Sequence, residues 1–366
     1  MIPAPDPAAA LRHPVGRVTV GGVVVPWSDW QVTDRGHFAC ATFSATLPLK
    51  SLPPERDQSW WAVTDAAEIE IAAAFADSTA AAPAFTSLIL GRADDVEIDL
   101  ENRVLRLSGR DYAAKFIDSR LITQYRNQTS SEIVTALAQA AGLSADVTPT
   151  TTPVGRYYEI DHLRLSSGQS QWDLLCWLAR EEDFDLWVGG TILYFHPLAS
   201  EATTKPIPVT WTEPGPGGPA AGTLARPRLH RALTIAKDIV VKVQSWNQHR
   251  ESGFTITYRV RRARTKSDCD GEAQIYLYQR PNLTEAQADL FARRMATELS
   301  RHEYAIEAEQ PADLTLSPRS LIRASGFGGW DGLYAIDAIS RRFTLKDGFV
   351  MTWRAKTIPT RETVSA

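Results

Sequence analysis

Gly91-Arg92-Ala93-Asp94-Asp95-Val96-Glu97-Ile98-Asp99-Leu100-Glu101-Asn102-Arg103-Val104-Leu105-Arg106-Leu107-Ser108-Gly109-Arg110-Asp111 is the stretch that decides the reading of the fold. From Val96 to Leu100 apolar and acidic residues alternate, the chain turns at Glu101-Asn102, and Leu105-Arg106-Leu107 returns with the same period of two. That period belongs to strands with one buried and one wetted face. Further upstream, Arg17-Val18-Thr19-Val20 and Val23-Val24-Val25 flank Gly21-Gly22, a two-residue hairpin signal, because glycine supplies the positive φ of a primed turn. Ala39, Ala41, Phe43, Ala45 and Leu47 alternate with Cys40, Thr42, Ser44 and Thr46. Residues 1–113 therefore read as one antiparallel β module.

Downstream the period changes. Thr129-Ser130-Ser131-Glu132 forms a capping box ahead of Ile133, Leu137, Ala140 and Ala141, which predicts a helix over 130–141 that stops at Gly142. A second helix is expected over 171–182, capped by Ser170 with Asp173, followed by a hairpin over 184–195 that turns at Gly189-Gly190. The Pro/Gly-rich run 213–219 reads as a linker or long loop within an α/β middle region over 114–228. From 229 to 366 the β signal returns, with a helix over 285–300 capped by Thr284 and Gln287 and a hairpin at Asp347-Gly348. Phe254, Ile256, Tyr258 and Val260 alternate there with Thr255, Thr257, Arg259 and Arg261. The fold class expected is α+β, mainly β: two antiparallel β modules flanking an α/β middle. No exact sequence repeat links the two ends.

At 366 residues, 44% apolar and 22% charged, the chain has the composition of a folded soluble protein of more than one domain. It contains no apolar run of the 18 or so residues that a membrane helix needs, and its N-terminus lacks the basic and apolar regions of a secretory signal. Three widely spaced cysteines, Cys40, Cys176 and Cys269, suit neither a disulfide framework nor a zinc site. Residues 1–114 carry 9 basic and 15 acidic side chains, whereas residues 230–366 carry 21 and 16. The ends thus differ in sign, which fits either screened, solvated surface or an electrostatic head-to-tail contact.

Catalytic constellations are not legible. Glu181, Glu182, Asp183 and Asp185 supply carboxyls, but a glycosidase needs two held across a cleft, whereas these sit at one helix end. Ser245-Trp246-Asn247-Gln248-His249 has hydrolase residue types without a nucleophile elbow, and Gly326-Phe327-Gly328-Gly329 lacks the Lys-Ser/Thr of a phosphate loop. No cofactor, metal or catalytic residue is assigned. Two features remain as interface candidates. Trp60-Trp61 are adjacent, so a strand there would turn one outward as a protein anchor or a carbohydrate platform. The Thr255, Thr257, Arg259, Arg261 face would line a lumen or form intersubunit salt bridges.

Three motifs resemble the phage late control protein D family, which takes in tail baseplate hubs and the hub portion of type VI secretion spike proteins. The first is Gly91 to Ile98 with Leu105 to Asp111, leading into Tyr112 to Asp118, like the family's V-x-G-R-D and its helix. The second is Gln171-Trp172-Asp173-Leu174-Leu175-Cys176-Trp177-Leu178-Ala179-Arg180-Glu181-Glu182 with the hairpin ending in Leu193-Tyr194-Phe195. The third is Asp331 to Ile339. Asp183-Phe184 departs from the pattern where a glycine is usual, and Arg341 stands near a customary histidine.

The resemblance implies two tube-type β-barrels per chain, one in residues 1–113 and one in 229–366, in a homotrimer that forms a pseudo-sixfold ring. Such a ring joins a hexameric tail tube or tail-tip protein to a trimeric central spike, contacts tape measure and baseplate wedge proteins, and passes DNA through its lumen. The expected place is the virion tail baseplate, assembled in the host cytoplasm. A peptidoglycan-degrading or carbohydrate-binding tail protein is the alternative.

Overall fold

Alternating stretches become strands because one face of each can be buried while the other stays wet, and every buried backbone group finds a partner in the ladder. The computed structural model describes residues 13–76, 83–121, 125, 128–151, 153–154, 169–216, 221–233, 239–247, 252–260, 274–281 and 283–358. Strand makes up 51% and helix 20%, a mainly β α+β fold.

The first β module contains β1 (His13–Val20), β2 (Val23–Val25), β3 (Asp29–Arg35), β4 (Thr42–Pro48), β5 (Glu68–Ala76), β6 (Thr86–Asp99) and β7 (Val104–Asp111). The short helix α1 (Gln58–Val63) lies between β4 and β5. Helix α2 (Ala114–Asp118) leads into the middle region: β8 (Gln128–Thr129), α3 (Ser130–Ala140), β9 (Ser144–Val147), β10 (Pro153–Val154), α4 (Gln171–Glu182), β11 (Phe184–Gly189) and β12 (Ile192–Pro197). Both longer helices there start with the expected capping boxes, Thr129 with Glu132 and Ser170 with Asp173. They cover the sheet β11-β12-β9 through Leu137, Leu175, Leu178, Leu186, Leu193 and Phe195.

The second β module contains β13 (Ile207–Thr212), β14 (Ala221–Gly222) and β15 (Arg228–Arg231), followed by an inserted unit of β16 (Ile239–Asn247), β17 (Ser252–Val260), β18 (Gln274–Gln279) and α5 (Glu285–Ser300). It then resumes with β19 (Tyr304–Pro311), β20 (Leu321–Ser325), β21 (Gly332–Thr344) and β22 (Gly348–Thr357). Because β13 pairs with β20, the sheet of this module reaches back to Ile207, ahead of the 213–219 run, which joins β13 to β14. The short Ile207–Thr212 segment, bracketed by prolines at 206 and 214, gives little alternation from which to read this.

Both modules belong to one 14-stranded sheet. Within it the antiparallel path β5-β6-β7-β4-β3 is repeated by β20-β21-β22-β19-β15, with the strands in the same chain order. The β6–β7 ladder is bulged between Ala93 and Asp95, and the β21–β22 ladder is bulged at the equivalent point, between Ile336 and Ala338. The two halves join edge to edge where β3 pairs with β21, from Asp29↔Thr344 to Arg35↔Ala338. A single apolar core runs through both, with Trp30, Phe343, Phe349 and Trp353 at the seam. Trp30 lies 5.7 Å from the Phe343 ring and 5.4 Å from the Phe349 ring.

Candidate assembly surfaces

The G-R-D segment explains itself at the level of atoms. Gly91 and Gly109 sit where β6 and β7 cross closely: a Cβ on Gly91 would lie 2.0 Å from the Arg110 carbonyl oxygen, and one on Gly109 would lie 2.1 Å from that of Arg92. Arg110 points outward and binds Asp94 at 2.6 Å and Asp118 at 3.0 Å, tying the bulge to the end of α2. Asp111 is buried; its carboxylate accepts hydrogen bonds from Ala41 N–H at 3.0 Å, Ala113 N–H at 2.9 Å and the Cys40 thiol at 2.8 Å. Burial raises the Asp111 pKa to about 6, although the thiol and amide donors work to lower it. Burial and the neighbouring Asp111 push the Cys40 thiol far up, so it stays protonated. The motif therefore pins the first module to the middle region.

The three regions meet around the β3–β4 turn. There Arg319 stacks on Trp187 at 4.2 Å, binds Asp185 at 3.0 Å and approaches Asp34 of β3 at 3.8 Å, so one guanidinium touches all three. Asp337, the bulged residue of β21, binds His37 at 3.1 Å and Lys356 at 2.8 Å. Burial acts to raise the Asp337 pKa, but the hydrogen bonds from His37 and Lys356 and the charge of Lys356 outweigh it and hold the carboxyl well below the usual range. Burial raises Asp34, against the pull of Arg319 and Arg341. Arg341, which stands near the histidine position of the resemblance, is buried and donates from Nε to the Asp313 carbonyl at 3.0 Å and from Nη2 to that of Leu316. Its role here is to hold the 313–316 loop.

The carboxyl run after α4 is dispersed in the same way. Glu182 accepts from the Ser130 hydroxyl at 2.6 Å, Asp183 takes the left-handed C-cap position, and Asp185 is bound to Arg319. Ser245 is buried and exchanges hydrogen bonds with the Leu283 backbone. Among the described residues no three His, Cys, Asp or Glu side chains converge to hold a metal, and no helix is long and apolar enough to cross a membrane.

Of the interface candidates, Trp60 and Trp61 lie in helix α1 and not in a strand, because Pro54 opens a helical turn and Asp57 caps the helix through Trp60 N–H at 2.9 Å. Helix geometry turns Trp61 into the core at 7% exposure, while Trp60 is half-buried beneath the Arg56 guanidinium at 4.5 Å. Thr255, Thr257 and Arg259 are exposed and share one face of β17; Arg261 lies outside the described residues. The opposite face carries Ile256 and Tyr258 against α5, whose Ala288, Ala292 and Ala296 are fully buried. Registers place Thr255, Thr257 and Arg259 beside Gln244, Lys242 and Val240 of β16, and those beside Gln279, Leu277 and Ile275 of β18.

This face also exposes Trp246, Ile275 and Leu277, at 56%, 59% and 54%. The sequence hid them, since Gln274-Ile275-Tyr276-Leu277-Tyr278-Gln279 is apolar on both faces and its period does not say which is wet. Nor does the sequence mark β15, Arg228-Leu229-His230-Arg231, a short exposed strand that pairs with β19 on one side.

No protein-family model matches the sequence, and no curated protein matches it. Solved structures do share its fold. A tail protein from Neisseria meningitidis superposes with a TM-score of 0.67 at 13% identity, over 94% of this chain and 96% of that one. A 43 kDa tail protein of prophage MuSo2 from Shewanella oneidensis gives 0.67 at 14% identity, over 94% and 98%. An E. coli component of the type VI secretion system, described as structurally similar to bacteriophage T4 tail proteins, gives 0.54 at 10% identity, over 94% and 77%. Across almost its whole length, both β modules and the middle region included, the chain has the fold of these phage tail and secretion-system proteins.

Proposed function

We propose that the protein is a structural hub of a phage tail or related injection machine. It forms a homotrimeric ring in the tail baseplate in which the two β modules of each chain supply six similar wall segments. The observation that carries this reading is the repeated five-strand path joined edge to edge by β3 and β21. A chain that already sets two like modules side by side through a continuous sheet is two-sixths of such a ring, and three copies match threefold and sixfold partners at its two ends. The whole-length likeness to tail proteins supports the same reading.

In this reading the sixfold side meets a tail tube or tail-tip protein, the threefold side meets a central spike, and DNA passes through the middle. The outer face of β16–β18 rests against protein and not against the lumen, because exposed Trp246, Ile275 and Leu277 favour burial over a water-filled channel. The purified chain is expected to elute as a trimer in size-exclusion chromatography with light scattering and to show rings in negative stain. Rings of another order would reject the pseudo-sixfold hub.

A further inference from the structure

The internal repeat has an unfilled position. In the second module, β20 leaves β21 after Ala335, and the edge it vacates is taken by β3 over Ala338 to Thr344. In the first module, β5 leaves β6 after Arg92, so β6 runs on from the bulge at Asp94 to Asp99 bonded to β7 alone among the described residues. The strand equivalent to β3 in the second module is β15, and its outer edge is also unpaired among the described residues. Each module therefore presents half of the contact that joins the modules inside the chain.

We infer that β15 of one copy pairs with the vacated edge of β6 in the next copy, repeating the β3·β21 seam between chains. This rests on the hub reading and names its closing contact. The equivalences fix the register. Asp337 corresponds to Asp94 through the bulges, and Lys356, which binds Asp337, corresponds to Arg110, which binds Asp94. Thr33 corresponds to His230, because Thr42 and Ala305 stand opposite Arg110 and Lys356 respectively and pair with Thr33 and His230 on their other side. Copying Thr33↔Ser340 and its neighbours then sets His230 against Glu97, Leu229 against Ile98 and Arg228 against Asp99. One step beyond the strands, Pro227 faces Leu100 and Arg226 faces Glu101.

Backbone pairing alone thus sets Arg226, Arg228 and His230 opposite Glu101, Asp99 and Glu97 on one face, and Pro227 and Leu229 opposite Leu100 and Ile98 on the other, where Arg231 meets Val96. It also covers Leu100 and Leu229, which are 67% and 38% exposed in the single chain. Two unprotected sheet edges disappear in the same contact. The contact is heterologous, and in the three-chain ring of the proposed hub it would use the β15 edge and the vacated β6 edge of every copy.

The test is an Arg228→Cys/Asp99→Cys pair in a Cys269→Ser background, where Cys176 is buried and the half-buried Cys40 thiol donates to Asp111. Mild oxidation is expected to give disulfide-linked dimers and trimers on a non-reducing gel, whereas an Arg228→Cys/Asp95→Cys pair, out of register, gives none. Arg228→Glu/His230→Glu is expected to weaken assembly at least about tenfold without altering the thermal melt, since it sets like charges opposite each other. A wild-type ring whose Arg228→Cys/Asp99→Cys variant does not cross-link overturns this contact and leaves the hub reading standing. A wild-type chain that stays monomeric overturns the ring, and this contact with it.

Discussion

At the scale of single residues, the departures from the resembling motifs have physical reasons. Asp183 stands where glycine is usual because the position is the left-handed C-cap of α4, with φ 59° and ψ 39°, which glycine adopts without strain. Asp183→Gly is therefore expected to stabilise the fold by about 1 kcal/mol, read from urea denaturation. Asp111 was legible as part of a motif but not as a buried acceptor, since its three donors come from residues 40, 41 and 113. Asp111→Ala leaves those donors unsatisfied and is expected to cost about 2–5 kcal/mol. The raised pKa has a sign. A buried carboxyl at about 6, against an ordinary 3.8, binds its proton more tightly in the folded state. Its contribution to stability is thus fully present below about pH 4 and is lost as pH rises through 6. Asp111→Asn should remove that component of the slope, as read from denaturation midpoints between pH 4 and pH 7.

At the scale of elements, capping chemistry and alternation were sufficient for the helices and most strands. Thr129, Ser170 and Thr284 cap where their spacing to Glu132, Asp173 and Gln287 indicates. What failed was short context: Trp60-Trp61 became helical because Asp57 supplies a cap three residues before Trp60. β15 is not legible in sequence, because four residues carry no period. The joint between regions was invisible as well, since Arg319, Asp34, Asp185 and Trp187 are distant in sequence. Arg319→Ala leaves the buried Asp185 without its counter-charge and is expected to cost about 3–5 kcal/mol. Arg319→Lys keeps the charge but not the planar stack on Trp187, so it should recover part of that loss in the same urea titration.

At the scale of the whole molecule, the two β ends were readable as alike in kind, while their repeat was not. Equivalent positions share geometry and seldom identity: the bulges at Asp94 and Asp337 keep an acid, yet their partners are Arg110 and Lys356, and the inserted β16–β18 and α5 unit breaks the spacing. Strand pairing restores the correspondence and sets basic β15, at the border of the positive end, against acidic β6 in the negative end. The central claim is that two modules per chain make a closed ring of three chains. Light scattering across a size-exclusion peak at micromolar concentration tests it most directly: the account predicts three times the 40.4 kDa chain mass, and a peak at one chain mass would contradict it.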